Sequence, residues 1–135
     1  GGLAGNAGLF STARDVARVY QMLLNGGEID GQRYLSKETC QLFTTETSKI
    51  SRRGLGFDKP DADDPKKGNC APAAPAEVYG HTGFTGTCAW VDPVNELVYV
   101  FLSNRIYPDV TNRKLNQLHI RERIQGAIYD AMKKK

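Results

Sequence analysis

The sequence is poor in several features that would identify whole classes of protein. It has three cysteines in 135 residues, Cys40, Cys70 and Cys88, and no two of them form a Cys-x-x-Cys pair. An odd number of widely spaced cysteines argues against both a disulfide framework and a zinc site. Cys88 is therefore predicted to be a small core residue. A bridge between Cys40 and Cys70 stays conceivable in an oxidising compartment.

Long apolar runs and concentrated positive charge are also missing. No stretch approaches the length of a membrane span, and the first residues lack a signal-peptide pattern. The net charge is only +3, part of it from Lys133 to Lys135, and no basic stripe is interleaved with aromatic residues. Nucleic acid is therefore not expected as a partner.

Metal and cofactor signatures are absent as well. Asp61, Asp63 and Asp64 lie close together, but the segment lacks the glycine and the terminal glutamate of a calcium loop. A solvated acidic turn is predicted there, with no metal and no cofactor. Residues 58–76 as a whole combine Pro, Asp, Lys and Ala without periodicity, which predicts a long surface loop.

What the sequence does contain is an ordinary globular composition, with 40% hydrophobic and 24% charged residues. One domain covering residues 1–135 is the expectation. Its start, Gly1 to Gly8, resembles a loop entered from something upstream, so the missing signal pattern does not locate the parent protein.

Three helices are predicted from caps and apolar periodicity. Thr12 and Asp15 have the spacing of a capping box, and the apolar stripe that follows ends at Asn25-Gly26-Gly27. After a short turn at residues 31–34, Ser36 caps a second helix that ends near Phe43. The residues of this region predicted to face the core are Leu35, Thr39, Leu42 and Phe43. A last helix is indicated by apolar residues on one face, namely Ile120, Ile124, Ala127, Ile128 and Ala131.

The strands are predicted around one hairpin. Residues 88–91 and 97–102 are apolar runs of strand length, and Asp92-Pro93-Val94-Asn95 between them supplies turn chemistry. The second run is apolar on both faces, which predicts a strand covered by protein on both sides. Residues 53–57 are also strand-like. The predicted fold class is α+β, of the sandwich type, with an antiparallel three-stranded meander flanked by helices.

The residues most typical of a functional site precede this hairpin. In His81-Thr82-Gly83 a titratable group, a hydroxyl and a glycine are crowded together where a strand begins. Gly83 and Gly86 would let the backbone approach a ligand closely, and N–H groups beside them could stabilise an oxyanion. The alternative is a hydrogen-bonded edge histidine with glycines that only shape a bulge.

Three segments together resemble a known superfamily. They are Gly80-His81-Thr82-Gly83-Phe84-Thr85-Gly86, then Trp90-Val91-Asp92-Pro93, and finally Phe101-Leu102-Ser103-Asn104-Arg105 with Tyr107-Pro108. These segments, with residues 5–13, resemble the C-terminal third of serine beta-lactamases and penicillin-binding proteins. The similarity is greatest to class C beta-lactamases and to related esterases and D-alanyl-D-alanine peptidases.

This resemblance implies roles for particular residues. His81 and Thr82 would contact or polarise the substrate and the proton network of the nucleophile, and Gly83 would keep the strand open to the acyl group. The backbone N–H of Phe84 would form half of an oxyanion hole, with Thr85 beside the substrate. Asp109 falls where class C enzymes commonly carry an asparagine near the substrate carboxylate, which an aspartate would repel. The implied substrate is a small-molecule or peptide-like acyl compound, and the implied compartment is the bacterial periplasm or cell envelope.

The family's nucleophilic machinery is missing from the sequence. No lysine is preceded three positions earlier by serine, and no tyrosine is followed two positions later by asparagine. The chain therefore resembles a C-terminal piece of a serine hydrolase and is expected to be inactive alone. The alternative is a non-catalytic binding or regulatory module. In either case an exposed sheet edge is expected to favour self-association.

Overall fold

The computed structural model describes residues 7–45, 50–61, 63–64 and 68–133. Its helices are α1 (Ala13–Leu24), α2 (Lys37–Thr44), α3 (Lys114–Gln117) and α4 (Ile120–Met132). Its strands are β1 (Glu28–Ile29), β2 (Gln32–Arg33), β3 (Tyr79–Thr82), β4 (Cys88–Asp92) and β5 (Leu97–Phe101). The strands β1 and β2 form a small hairpin, and β3, β4 and β5 form an antiparallel meander in that order. The predicted α+β class is confirmed.

The predicted hairpin between β4 and β5 is confirmed. Asp92 ends β4, and its Oδ1 accepts hydrogen bonds from the backbone N–H groups of Val94 and Asn95 at 2.9 and 3.0 Å. An aspartate that binds the backbone two and three residues on is the expected turn chemistry. The register that follows places Trp90 opposite Tyr99.

One face of the meander carries the core. Its buried cluster consists of Cys70, Val78, Cys88, Trp90 and Tyr99, with Ala74, Phe101 and Ile128 packed against it. The prediction that Cys88 is a core residue is confirmed, and all three cysteines are free thiols, so Cys40 and Cys70 are not bridged. Helix α4 is fixed to this face by two buried hydroxyl donors. Tyr99 donates to the carbonyl of Arg121 at 3.1 Å, and Tyr129 donates to Asp92 Oδ2 at 2.8 Å.

The opposite face is only partly covered. Helix α1 packs across β4 and β5, and Tyr20 of α1 meets Tyr79 through the edge-on ring of Phe57, with centroid distances of 6.2 and 5.4 Å. Val98 and Val100 on β5 stay half-buried. The strand β5 is thus contacted on both sides, by α1 on this face and by the core cluster on the other, so the prediction is confirmed in part for the described residues, with coverage that is incomplete at Val98 and Val100.

The predicted starts of the first two helices are confirmed. Thr12 Oγ1 accepts from the Asp15 N–H at 3.2 Å and donates to Asp15 Oδ2 at 2.8 Å, and α1 ends at glycines with φ of 68° and 95°. Ser36 Oγ accepts from the Thr39 N–H at 3.0 Å and caps α2. The predicted core face of α2 is wrong, however. Leu42 and Phe43 are exposed and Cys40 is buried, because the chain packs against the side of the helix that carries the cysteine.

The predictions for residues 31–34 and 53–57 are also wrong. The turn predicted at residues 31–34 is instead part of the β1–β2 hairpin, whose tip is Asp30-Gly31 with φ of 52° and 75°, as type I′ geometry requires. Residues 53–57 form no strand. The pairing begins at Asp58, which bridges to Gly80 through both of its backbone groups.

The surface-loop prediction for residues 58–76 is wrong at several positions. Asp58, Lys59, Cys70 and Ala71 are buried. Polar atoms there are satisfied by distant partners that no local pattern reveals, such as Gln125 Oε1, which accepts from the Ala71 N–H at 2.8 Å. Positions 62 and 65–67 of this loop, and 1–6 of the predicted entry loop, lie outside the described residues. In the described ranges, every helix is too short or too polar to cross a bilayer.

Candidate functional site

The candidate site lies along the open edge of β3. Asp58 pairs with Gly80 there, donating to its carbonyl at 2.7 Å and accepting from its N–H at 3.0 Å. Outward-facing backbone groups alternate along an antiparallel strand, so the next pair to face this edge belongs to Thr82. Gly83 turns back into the sheet and donates to the Thr87 carbonyl at 2.8 Å. Among the described residues no backbone group outside the sheet pairs with Thr82, which directly follows the Asp58 bridge, although the His81 ring reaches the Thr82 carbonyl.

The turn that follows β3 depends on glycine. The Gly86 N–H donates to the Gly83 carbonyl at 2.9 Å and closes a four-residue turn. A Cβ on Gly83 would lie 2.2 Å from Thr87 Oγ1, and Gly86 has a φ of 95°. Both positions thus exclude larger side chains, the first by contact and the second by backbone conformation. The glycines do shape the turn, and they also leave the Phe84 backbone exposed at its tip.

His81 is exposed and its ring is held at both nitrogens. Nδ1 lies 2.6 Å from the Thr82 carbonyl, and Nε2 lies 3.2 Å from Arg53 Nη1. Because a guanidinium can only donate, Nε2 must accept from Arg53 and Nδ1 must carry the proton that is donated to Thr82. The imidazole is therefore fixed in one tautomer beside the open edge.

Phe84 presents its backbone N–H at the tip of the turn. Among the described residues no acceptor lies within hydrogen-bond distance of that N–H. The turn is fixed from the other side, since the Thr85 carbonyl accepts from the Arg105 N–H at 2.9 Å and from Ser103 Oγ at 3.2 Å. The Arg105 guanidinium also lies 4.9 Å from the centre of the Phe84 ring. Among the described residues the Phe84 N–H therefore has no partner, in a turn that Arg105 and Ser103 hold from the other side.

Asp109 does not join this group. Its Oδ1 accepts from the side chain and the backbone N–H of Thr111, at 2.7 and 2.8 Å, and these bonds hold the pKa of Asp109 below its ordinary value. Asp109 is thus directed to its own loop. The loop is tied to the site through Arg105, whose Nη1 donates to the carbonyls of Val110 and Asn112 at 3.3 and 3.4 Å.

Sequence reasoning missed the two arginines that flank the site. Arg53 lies 28 positions before His81, so no local spacing could indicate their contact. Arg105 stands in the quoted Ser-Asn-Arg segment, but its stacking on Phe84 depends on how β5 leaves the sheet. Arg53 contacts the His81 ring and Arg105 lies over the Phe84 ring, so both arginines place positive charge near the end of β3.

Across residues 7–45, 50–61, 63–64 and 68–133, no three His, Cys, Asp or Glu side chains come together as a metal site. Asp61 of the acidic turn instead accepts from the N–H groups of Asp63 and Asp64 at 3.1 and 3.0 Å. The groups that the described residues present at the β3 edge are backbone N–H donors, the Thr82 hydroxyl and the His81 imidazole.

Comparison with known proteins gives one family and a consistent set of relatives. The family model described as Beta-lactamase matches residues 1–122. Escherichia coli O157:H7 has a relative named "Putative D-alanyl-D-alanine carboxypeptidase", which is 37% identical over 116 residues that cover 86% of this chain and 26% of the relative. Relatives with the same name in Escherichia coli K12 and Salmonella agona SL483 are each 36% identical. The chain spans about a quarter of the length of these curated relatives.

Proposed function

The chain belongs to the Beta-lactamase family, which is of serine hydrolase type, and from this premise we propose that it forms one wall of an acyl-transfer site for peptide-like substrates. The wall consists of His81, Thr82, Gly83 and the Phe84 amide. In this proposal residues 1–135 are one portion of a larger hydrolase domain. The observation that supports it best is the unpaired Phe84 N–H at the end of the open strand edge.

The Phe84 N–H would act on the carbonyl oxygen of the substrate. When a serine attacks an acyl carbon, that oxygen gains negative charge, and a fixed N–H donor lowers the energy of the charged state. The turn bonds at Thr85 hold the donor in place before the reaction, so it does not have to reorganise. Removing one such donor typically lowers kcat by about 100- to 1,000-fold.

The open edge at Thr82 would hold the extended part of the substrate. Its outward N–H could donate to an added strand, which is a common way for a sheet edge to bind peptide, while its carbonyl would have to share or exchange its bond from His81 Nδ1. His81, held by Arg53, would support the proton transfers of the nucleophile. Gly83 adds no side chain here, and a Cβ at this position would lie only 2.2 Å from Thr87 Oγ1.

Thr85 and Asp109 are the outer members of the proposed site. The Thr85 carbonyl is occupied by Arg105 and Ser103, which leaves its side chain as the group available to a substrate. Asp109 would repel a substrate carboxylate placed near its loop. The proposal therefore assigns any attraction of anions to Arg53 and Arg105, and selection against a terminal carboxylate to Asp109.

A second candidate function is a non-catalytic binding or regulatory module. It is favoured by the missing Ser-x-x-Lys and Tyr-x-Asn motifs, because a ligand could still bind along the β3 edge without a nucleophile. In the first proposal the nucleophile is supplied from outside these 135 residues. The two candidates differ in whether the whole protein forms an acyl-enzyme.

The decisive experiment separates the effect of the Phe84 N–H from that of the Phe84 side chain. Phe84→Pro removes that donor, and proline suits the first inner position of the turn that Gly83 and Gly86 close. Phe84→Ala is the matched control, because it shortens the side chain and keeps the N–H. In the whole protein, kcat on a peptide-like substrate without a free C-terminal carboxylate should fall at least 100-fold for Phe84→Pro and less than tenfold for Phe84→Ala.

Three results would contradict the proposal. One is equal activity of the two variants. Another is saturable labelling of a serine in the 135-residue chain alone by a serine-reactive probe, or hydrolysis of a chromogenic beta-lactam by it. The third is a whole protein that binds such substrates without forming an acyl-enzyme, which would support the binding module instead.

We further propose that β5 is an association edge. In the described residues β5 pairs with β4 only, so its other side carries unpaired backbone groups, and Val98 and Val100 are half-buried. Unpaired edges of apolar strands pair readily with another strand. The 135-residue chain is therefore expected to self-associate through β5.

A further inference from the structure

The segment that pairs with the edge of β3 also carries the arginine that contacts His81. Residues 52–58, here called the arm, end at Asp58, whose backbone forms both hydrogen bonds to Gly80. Near the other end of the arm, Arg53 Nη1 lies 3.2 Å from His81 Nε2. The arm therefore contacts β3 at two neighbouring residues, through its backbone at Gly80 and through a side chain at His81.

The arm is anchored on both sides of Arg53. Before it, Arg52 Nε donates to Asp58 Oδ1 at 2.8 Å, and Asp58 is 1% exposed, so the two ends of the arm are joined by an ion pair. After it, a Cβ on Gly54 would lie 2.7 Å from the Phe43 carbonyl, which shows that the arm packs closely on the last turn of α2. Arg53 itself is exposed, but its backbone is held in place by these neighbours.

The contact with Arg53 selects one state of the imidazole. A guanidinium has donor groups only, so it can hydrogen-bond to Nε2 only when that nitrogen carries no proton. The Thr82 carbonyl, 2.6 Å from Nδ1, accepts the proton that the ring retains. The arrangement thus favours a neutral ring, and the permanent positive charge at this end of β3 belongs to Arg53.

We propose that Arg53 is a positioning residue for the acyl-transfer site, which keeps the His81 ring in the neutral Nδ1–H tautomer with Nε2 turned towards the arm. This role rests on the proposed function, because it assigns how His81 takes part at that site. While Arg53 occupies Nε2, the ring has no free lone pair that could accept a proton from a nucleophile. His81 then supports proton transfer as a fixed dipole, and the proton passes to a base that, like the nucleophile, is supplied from outside these 135 residues.

The first test follows the His81 ring by NMR in the 135-residue chain, through the ¹⁵N signals of both ring nitrogens at about pH 8, above the ordinary histidine pKa of about 6.5. The native chain should show a protonated Nδ1 and an unprotonated Nε2. Arg53→Met removes the donor and keeps an unbranched apolar stem, so both signals should move towards the averaged positions of a ring that exchanges between tautomers. Arg53→Lys retains a donor for Nε2 and should restore the native pattern in part.

The second test separates positioning from substrate binding in the whole protein. On a peptide-like substrate, Arg53→Met should lower kcat about tenfold and change KM less than about twofold, because a group that acts through His81 contributes less than the 100- to 10,000-fold typical of direct proton transfer. Arg53→Lys should recover most of the loss. Arg123→Met is the matched control, because Arg123 is an exposed arginine of α4 outside the proposed site, and it should leave the ring signals and kcat unchanged.

Two results would overturn this role. One is an Arg53→Met chain with native signals at both His81 nitrogens and native backbone shifts elsewhere, because the tautomer would then not depend on Arg53. The other is an unchanged kcat for Arg53→Met in a whole protein that turns the substrate over. A native whole protein without turnover would instead contradict the proposed function, while the ring signals would still decide whether Arg53 sets the tautomer.

Discussion

Replacing Asp58 by asparagine should lower the free energy of unfolding by about 2–3 kcal/mol at pH 7. Asp58 is 1% exposed, and its carboxylate accepts from Arg52 Nε at 2.8 Å, Arg52 Nη2 at 3.1 Å and Asn69 Nδ2 at 2.9 Å. The Lys59 N–H donates to it as well, at 3.0 Å. An amide keeps the shape, but it loses the charge and turns an NH₂ group towards these donors.

The magnitude follows from the two bonds to Arg52. A hydrogen bond to a charged partner contributes about 1.5–3 kcal/mol, and breaking a fully buried ion pair costs about 3–5 kcal/mol. The Arg52 side chain is 33% exposed, so water replaces part of the interaction that Asp58→Asn removes. The expected loss of unfolding free energy is therefore smaller than for a fully buried ion pair.

The pH dependence has a definite sign. Burial alone would raise the pKa of Asp58, but the hydrogen bonds from Arg52 and Asn69 outweigh it and hold the pKa below its ordinary value. A carboxyl with a lowered folded-state pKa stabilises the fold above its unfolded pKa of about 3.9, and this contribution is lost as pH falls through the folded value. The difference in unfolding free energy between the native chain and Asp58→Asn should therefore have its largest value at pH 7 and decrease below about pH 4.

Urea unfolding followed by tryptophan fluorescence measures this gap. The single tryptophan, Trp90, is 1% exposed and belongs to the core, so its emission reports loss of the meander. Asp30→Asn is the matched control, because Asp30 pairs with Arg18 in an exposed position and its loss should leave the unfolding midpoint unchanged. An Asp58→Asn gap under 1 kcal/mol, or one that stays constant from pH 7 to pH 3, would refute the reasoning.

Two further outcomes are expected. Tyr129→Phe should lower the free energy of unfolding by about 1.5–3 kcal/mol, because it removes a buried donor 2.8 Å from Asp92 Oδ2. The control is Tyr34→Phe, which removes an exposed hydroxyl and should have no effect in the same urea assay. Sedimentation velocity should show a species that grows with concentration, because β5 has an open edge, and Val98→Lys should shift it towards monomer. A well-behaved monomer over a wide concentration range would contradict the edge proposal.

Local signals predicted the helix starts and the hairpin correctly. The Thr12 and Ser36 caps and the Asp92 turn each involve partners no more than three residues apart, so short-range spacing was enough. The predictions for α2 and for residues 58–76 failed for the opposite reason. Whether Phe43 or Cys40 faces the core depends on where a distant segment packs, and periodicity over a helix of eight residues does not specify that.

The sequence by itself determined the family, the α+β class and the identity of the His-Thr-Gly strand, because these depend on residue types at fixed short spacing. Only the tertiary structure showed that Arg53 fixes the His81 tautomer, that Arg105 stacks on Phe84, and that the buried Glu122 Oε2 has no partner among the described residues. Each of these contacts, and the missing partner of Glu122, depends on segments far apart in the chain. Their meeting is set by how helices and loops pack on the two faces of the meander.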